Sequence, residues 1–305
     1  MGGEGIVRGV PVDRPAADVV IPVAADADGL RTVLARMRTI ELRDGDTLTV
    51  VDNRGVGVDA PEVLVAAATR TSYFARNAGA ARGRAPWIVF LDADVDPPAD
   101  LLDRLLGDDP PGDGVGVIAG GVADTPTNET GPPAARFAEL KEVMSHTSTL
   151  GRGPWSFAKT AHAAVRREAF DHVGGFEPGV RSGGDADLTW RLRDAGWTLD
   201  ARPDALVVHA SRTTVPRMLA QQTRHGSGSA WLERRHRGSL PQRSWPGVLW
   251  WGTRRAASGV VALARGDRDA AILGLLDGPA TLAFELGRRI PNRPRPLDPR
   301  GRRQP

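Results

Sequence analysis

Two aspartates one residue apart, Asp92-Ala93-Asp94, close an apolar run, Pro86-Trp-Ile-Val-Phe-Leu91. Carboxylates that close repel each other unless something cationic sits between them. A hard divalent ion, Mg²⁺ or Mn²⁺, meets that need. It takes carboxylate oxygen on one side and diphosphate oxygen on the other, and so neutralises charge on a departing nucleoside diphosphate. The same pair could instead cap the next element or shape a turn, so the elements around it decide.

Asp18-Val-Val-Ile-Pro-Val23 is a β-branched run, and residues 29–37 place Leu30, Val33, Leu34 and Met37 on one helix face. Thr47-Leu-Thr-Val-Val51 repeats the strand and ends at Asp52. Near-continuous apolar strands alternating with helices predict an α/β fold with a parallel sheet covered on both faces. In such sheets ligands bind beyond the carboxyl ends of the strands, where Asp26, Asp52, Asp92 and Asp94 gather. Further strands are expected at 115–119, 161–165 and 205–208, the last ending at His209. Helices are expected over 134–148, 167–173 and 185–195, with Gly196 ending the third. Residues 124–133 read as a surface loop.

The charge distribution divides the chain. The formal net charge is only +3 among 40 basic and 37 acidic residues, which argues for no nucleic-acid partner. Acidic residues are frequent up to Asp204, whereas arginine dominates from Arg212 onward. The expected organisation is an N-terminal arm (1–17), a catalytic domain (18–211), a basic and amphipathic helical region (212–290) and a disordered Pro/Arg-rich tail (291–305). Residues 216–237 read as a basic helix, and 245–286 as two apolar helices broken around 266–269. Neither of these reads as a membrane span: Arg254, Arg255 and Arg265 interrupt one, and Asp277, Gly278, Pro279 and Glu285 the other.

The absence of cysteine excludes disulfides and thiolate metal sites. The first residues lack the apolar core of a secretory signal, so a cytoplasmic location is expected. The basic helices suggest peripheral contact with the inner face of the membrane, although packing on the catalytic domain or dimerisation would use the same apolar faces.

Six ordered segments resemble family-2 glycosyltransferases of the GT-A fold: Val19-Val-Ile-Pro-Val23, Val50-Val-Asp-Asn53, Ala75-Arg-Asn-Ala-Gly79, Phe90-Leu-Asp-Ala-Asp94, Gly174-Gly-Phe176 and Gly184-Asp-Ala-Asp-Leu-Thr-Trp-Arg191. The resemblance covers roughly 18–209 and is of actinobacterial type. It implies a Rossmann-like, mostly parallel sheet flanked by helices, with a C-terminal helical extension. It also implies inverting transfer of a hexose or N-acetylhexosamine from a UDP-sugar to an acceptor hydroxyl. Pro22 and Val23 would lie along the base, Asp26 near the ribose, Asp52 at the base edge and Arg76 near the base or phosphates. Asp92 and Asp94 would face the diphosphate and metal, with Asp94 the direct ligand and His209 a further one. Asp185 would be the base that takes the acceptor proton.

The sequence departs from the family's common Glu-Asp by having Gly184-Asp185, which leaves acceptor orientation open and Asp187 as another functional carboxylate. Gln221-Gln-Thr-Arg-His225 has the spacing of the Gln-x-x-Arg-Trp motif of processive synthases with His in place of Trp, and Arg224 would contact the diphosphate. Trp155 offers a face for an acceptor ring or for ordinary packing. The acceptor itself, whether glycan, lipid or natural product, is not legible. Two other readings are a sugar nucleotidyltransferase and a non-catalytic nucleotide-binding or membrane scaffold. The first is disfavoured by the acidic Ala24-Ala-Asp-Ala-Asp28 where a basic triphosphate loop would be needed.

Overall fold

Residues 13–107, 111–128 and 130–294 are described by a computed structural model. The first half alternates strand and helix as its apolar runs predict: β1 (Ala17–Val23), α1 (Ala27–Met37), β2 (Thr47–Asp52), β3 (Val63–Val65), α2 (Ser72–Ala80), β4 (Trp87–Leu91) and β5 (Val95–Asp96). There follow α3 (Leu101–Leu106), β6 (Val115–Asp124), α4 (Pro133–Leu140), α5 (Thr147–Leu150), β7 (His162–Arg166), α6 (Arg167–His172), α7 (Gly184–Asp194) and β8 (Thr198–His209). Three long helices, α8 (Val215–Arg235), α9 (Trp245–Ala264) and α10 (Arg268–Gly287), complete the described elements.

The strands form one eight-stranded sheet in the order β3-β2-β1-β4-β7-β6-β8-β5. The strands from β1 to β4 are mutually parallel, which brings their carboxyl ends to one edge. The sheet is more mixed than an alternating pattern predicts. β7 runs antiparallel between β4 and β6, and β5 runs antiparallel to β8. Alternate residues of each central strand serve opposite faces: Val19, Ile21, Val89 and Leu91 join one core, Val20, Ile88 and Phe90 the other. Gly79 lets α2 lie flush on the sheet, because a Cβ there would collide with Val20 and Val51.

Three expectations change. The helix expected over 134–148 is split, because Glu142 takes a left-handed conformation (φ 46°) and the following carbonyls turn inward. Val143 O and Ser145 O accept from Lys159 Nζ at 2.9 and 2.5 Å. β6 runs on to Asp124 through a register shift at Gly120–Gly121, where the His162 ring occupies the space a Cβ at Gly120 would need. β8 starts at Thr198, ahead of the expected 205–208, with Pro203 next to the same irregularity.

Of the arm, residues 1–12 lie outside the described residues, and Arg14 is fixed by ion pairs to Asp46 and Asp103. Of the tail, 295–305 lie outside them as well. The start of the tail is docked: Asn292 is buried, accepts from the backbone N–H groups of Arg181 and Ser182, and donates to Ser182 O. By length and composition α10 could cross a membrane. Within the protein it packs on α4, α8 and α9, and its Asp277 is buried in ion pairs with Arg255 (2.8 Å) and Lys141 (3.1 Å).

Candidate active site

Asp92 and Asp94 stand just beyond β4, at the edge where the parallel strands end. The β5–β8 register sets Val95 opposite His209, which delivers the imidazole to the aspartate one residue earlier. His209 Nε2 lies 3.5 Å from Asp94 Oδ1, and Arg212 Nη1 donates to Asp94 Oδ2 at 3.0 Å. Behind the imidazole, His209 Nδ1 is 3.7 Å from Asp124 Oδ1. Asp124 in turn accepts from Ser211 Oγ and from the Met144 N–H.

Burial disfavours the charged form of both partners, yet the opposite charges outweigh it. Asp94 is held well below the usual carboxylate range by His209 and Arg212. His209 is raised to about 9 by Asp124 and Asp94.

Asp92 lies on the other side of the cleft, where Arg76 Nη2 donates to it at 2.5 Å. Arg76 is itself buried, its guanidinium 5.5 Å from the Tyr73 ring centroid and 6.0 Å from that of Phe176. Desolvation raises the Asp92 pKa, and Asp94 and Asp185 add to the rise against the pull of Arg76. Asp185 is linked to Asp92 through Tyr73 and Arg76, the guanidinium paired with Asp92 lying over the ring that donates to Asp185. Its own pKa is raised, first by burial, against the attraction of Arg76 and Lys159. Tyr73 Oη donates to Asp185 Oδ1 at 3.5 Å, and burial followed by the Asp185 charge keeps the phenol protonated far above its ordinary range. Lys159 is lowered to about 8 by burial, while Asp185 and Asp124 hold it up.

Gly184 has a steric reason here. A Cβ on it would come within 2.8 Å of the Tyr73 ring. The Tyr73 phenol thus takes the space that a side chain at position 184 would need.

Several of the other predicted residues are engaged by groups close to them. Asp26 is exposed and caps α1, accepting from Gly29 N at 3.0 Å. Asp52 is buried and accepts from the N–H groups of Arg54, Gly55 and Gly57, which lower its pKa against the burial cost. Its visible work is to shape the loop after β2 rather than to present a free carboxylate. Val23 is buried and Pro22 half-buried beside that loop.

Asp187 is fully buried in ion pairs with Arg191 (2.9 Å), Arg235 (2.7 Å) and His236 (2.8 Å). It ties α7 to the end of α8 and presents no free carboxylate to an acceptor. Trp155 packs edge-on against Trp190 with Arg193 over its ring, the packing role rather than an open face. Arg224 is partly buried with an unpartnered Nε, and its charge is felt by Tyr73 and His225.

The donor set around Asp94 suits a hard divalent ion of the Mg²⁺ or Mn²⁺ type in one specific way. A carboxylate and an imidazole stand 3.5 Å apart; an ion bound there would displace the proton that Asp124 and Asp94 hold on His209, and such ions complete their shells with water and substrate phosphate. Among the described residues no group of three or more His, Cys, Asp or Glu could hold a metal, so protein ligands alone would not form a cage. Tyr73, Lys159, Arg212 and Asp124 are the site residues the sequence reading passes over. A three-residue offset from His209 is the one local sign, and it marks Arg212 only.

The family model described as "Glycosyl transferase family group 2" matches residues 87–276. A pre-mycofactocin glycosyltransferase of Mycobacterium tuberculosis is 34% identical over 248 residues, covering 78% of this chain and 51% of that protein. The chain thus spans about half the length of that relative. Glycosyltransferase AglE of Haloferax volcanii is 28% identical over 70% of this chain and 73% of its own length. In fold, the chain resembles a mannosyltransferase from Pyrobaculum calidifontis solved with GDP-Man and Mn²⁺, with a TM-score of 0.56, 17% identity and coverage of 89% and 88%.

Proposed function

The chain belongs to the group 2 glycosyltransferases, and from that premise we propose that it transfers a hexose or N-acetylhexosamine from a nucleoside diphosphate sugar to an acceptor hydroxyl with inversion. The observation that carries this is the pairing of Asp94 with Arg212 and of Asp92 with Arg76, whose guanidinium lies over the Tyr73 ring that donates to Asp185.

Asp185 takes the acceptor proton as the hydroxyl oxygen attacks the anomeric carbon from the face opposite the diphosphate. The bond to the leaving phosphate breaks in the same displacement. Burial raises the basicity of Asp185, and Tyr73 donates to one oxygen, leaving the other to face the acceptor. Arg76 and Asp92 steady the donor side, and Arg212, Arg224 and Lys159 add positive charge where phosphate charge develops. Asp94 and His209 would hold a divalent ion, which when bound supplies Lewis-acid neutralisation of the leaving diphosphate.

Uridine diphosphate sugars are our proposed donors. This choice rests on the resemblance that sets Asp52 at the base edge. A panel should set UDP-glucose and UDP-N-acetylglucosamine against GDP-mannose, the donor seen in the mannosyltransferase of similar fold. Metal-dependent release of UDP supports the reading, and preferential release of GDP overturns the base choice alone. Pyrophosphate release from a nucleoside triphosphate overturns the transferase. Nucleotide binding with no release from any donor points to a scaffold.

We infer also that α9 lies against an anionic membrane face. Leu249, Trp250 and Leu263 are 56%, 62% and 60% exposed, and Arg254 and Arg265 accompany them along the helix.

A further inference from the structure

An open cavity of about 760 Å³ lies among α4, α8, α9 and α10, within the size range of small-molecule sites. Phe137, Val248, Trp251, Ala280 and Phe284 give it apolar walls. Such walls favour an apolar body, with the polar side chains of Gln222, Ser244 and Thr281 interspersed among them.

Two cations reach the cavity, Lys141 and Arg243. Lys141 is matched by Asp277 at 3.1 Å. Arg243 is exposed and has no ion pair or hydrogen bond among the described residues, so the mouth keeps an unmatched positive charge. The cavity also adjoins the candidate active site. Phe137, Val143 and Gln222 line both this cavity and the small pocket that holds Asp124, His209 and Arg212.

We propose that this cavity is the acceptor subsite, and that it takes an aglycone with an apolar, ring-bearing body and one acidic group. The body fills the space between α4 and the α9–α10 pair. The acid meets Arg243, and the acceptor hydroxyl projects past Gln222 toward the pocket of Asp124, His209 and Arg212. This assignment rests on the transferase reading given above.

A hydroxybiphenyl carboxylate and its methyl ester test it. The acid should quench the fluorescence of Trp251 saturably, with the Trp251→Phe variant giving the background, and the ester should bind at least fivefold more weakly. Arg243→Glu, at an exposed position, should erase that preference. Thr281→Trp, which fills the cavity from its rim, should abolish quenching while unstimulated donor hydrolysis persists. In transfer, the acid should raise nucleoside diphosphate release above hydrolysis, and Arg243→Glu should raise KM with little change in kcat.

Equal binding of acid and ester, or quenching that survives Thr281→Trp, overturns the assignment. Donor hydrolysis without any binding in the cavity overturns the acceptor subsite alone. Binding in the cavity by a protein that turns over no donor overturns the transferase reading instead.

Discussion

Arg76 and Asp92 meet at 2.5 Å across the floor of the cleft, the arginine buried and the carboxylate about one-third exposed. The pair explains why an arginine stands within α2, for its guanidinium lies against Tyr73 and Phe176 and reaches the end of β4. Arg76→Ala leaves Asp92 beside Asp94 and Asp185 without its counter-charge and removes packing on both rings. A loss of about 2 kcal/mol in urea unfolding is expected, the scale of a charge-assisted hydrogen bond. Arg76→Lys keeps the charge without the planar contact and should recover part of that stability. A change under about 0.5 kcal/mol in the alanine variant would show that the ion pair is not a structural element.

As the proposed base, Asp185 would link catalysis and stability with opposite signs. Its folded pKa is raised by burial, so kcat/KM should fall as the pH drops through a value above the ordinary aspartate pKa of about 4. The same shift means that ionisation disfavours the folded state. The stability associated with this group is fully present below the unfolded pKa and is lost as pH rises through the folded one. Asp185→Asn should therefore lower transfer by about 10²- to 10⁴-fold while raising Tm at neutral pH. A pH–rate profile of the wild type and thermal unfolding of the variant check the two halves separately.

Asp92, Asp94 and Asp185 were legible because each stands where an apolar run stops or starts, and that punctuation survives folding. Asp26 and Asp52 share the same punctuation but bond the chain immediately after them. A strand-end aspartate satisfies both descriptions until the loop's amides are seen. Lys159 and Arg212 were not legible, since they reach the cleft through the inward turn after Glu142 and the pairing of β5 with β8. Both are long-range events with no periodic trace. The long C-terminal helices were readable from apolar spacing, but the cavity among them depends on which faces meet.

His162 and His146 oppose folding in acid. His162 is fully buried, its Nδ1 donating to Gly121 O at 3.1 Å and its Nε2 unpartnered, and burial lowers its pKa to about 4. His146 accepts from the Lys159 N–H at 2.8 Å and is likewise lowered to about 4 by burial. Both folded values lie below the unfolded value near 6.5, so the stability is full above that pH and declines as pH falls through the window to about 4. Each contributes on the order of 3 kcal/mol across it. His162→Asn, whose amide can replace the Nδ1 donor, should flatten the profile by about one such step. An unchanged slope between pH 6.5 and 4 would rule out a buried neutral His162.

α9 and α10 pack backbone to backbone. A Cβ on Gly274 would lie 2.5 Å from Gly259 Cα, and one on Gly259 would lie 2.8 Å from Leu275 N. Substituting either glycine must push the helices apart, because the obstacle is main chain rather than a side chain that could rotate away. Gly274→Val is expected to cost about 1–3 kcal/mol, the range for overpacking a tight contact. It should also expose Asp277 to solvent, seen as increased hydrogen exchange along α10. Protection equal to that of the wild type would mean that the hairpin has another tight packing.

The same close packing leaves the outer side of α9 uncovered, and this shapes the last prediction. Trp250 carries Arg254 over its ring at 5.5 Å, and Arg289 stacks on Trp245 at 4.5 Å. Aromatic bodies with cationic partners suit the headgroup level of an anionic bilayer, where apolar burial and charge act together. Vesicles containing phosphatidylserine should bind the protein, and neutral phosphatidylcholine vesicles should not. Binding should weaken steeply with salt, since each basic residue near the surface contributes about 1 kcal/mol. Leu249→Glu with Trp250→Glu should remove binding without altering Tm, because both side chains are exposed. If the double variant binds as the wild type does, the membrane contact lies elsewhere. If it instead shifts a dimer to a monomer in sedimentation, the exposed face serves a second copy of the chain.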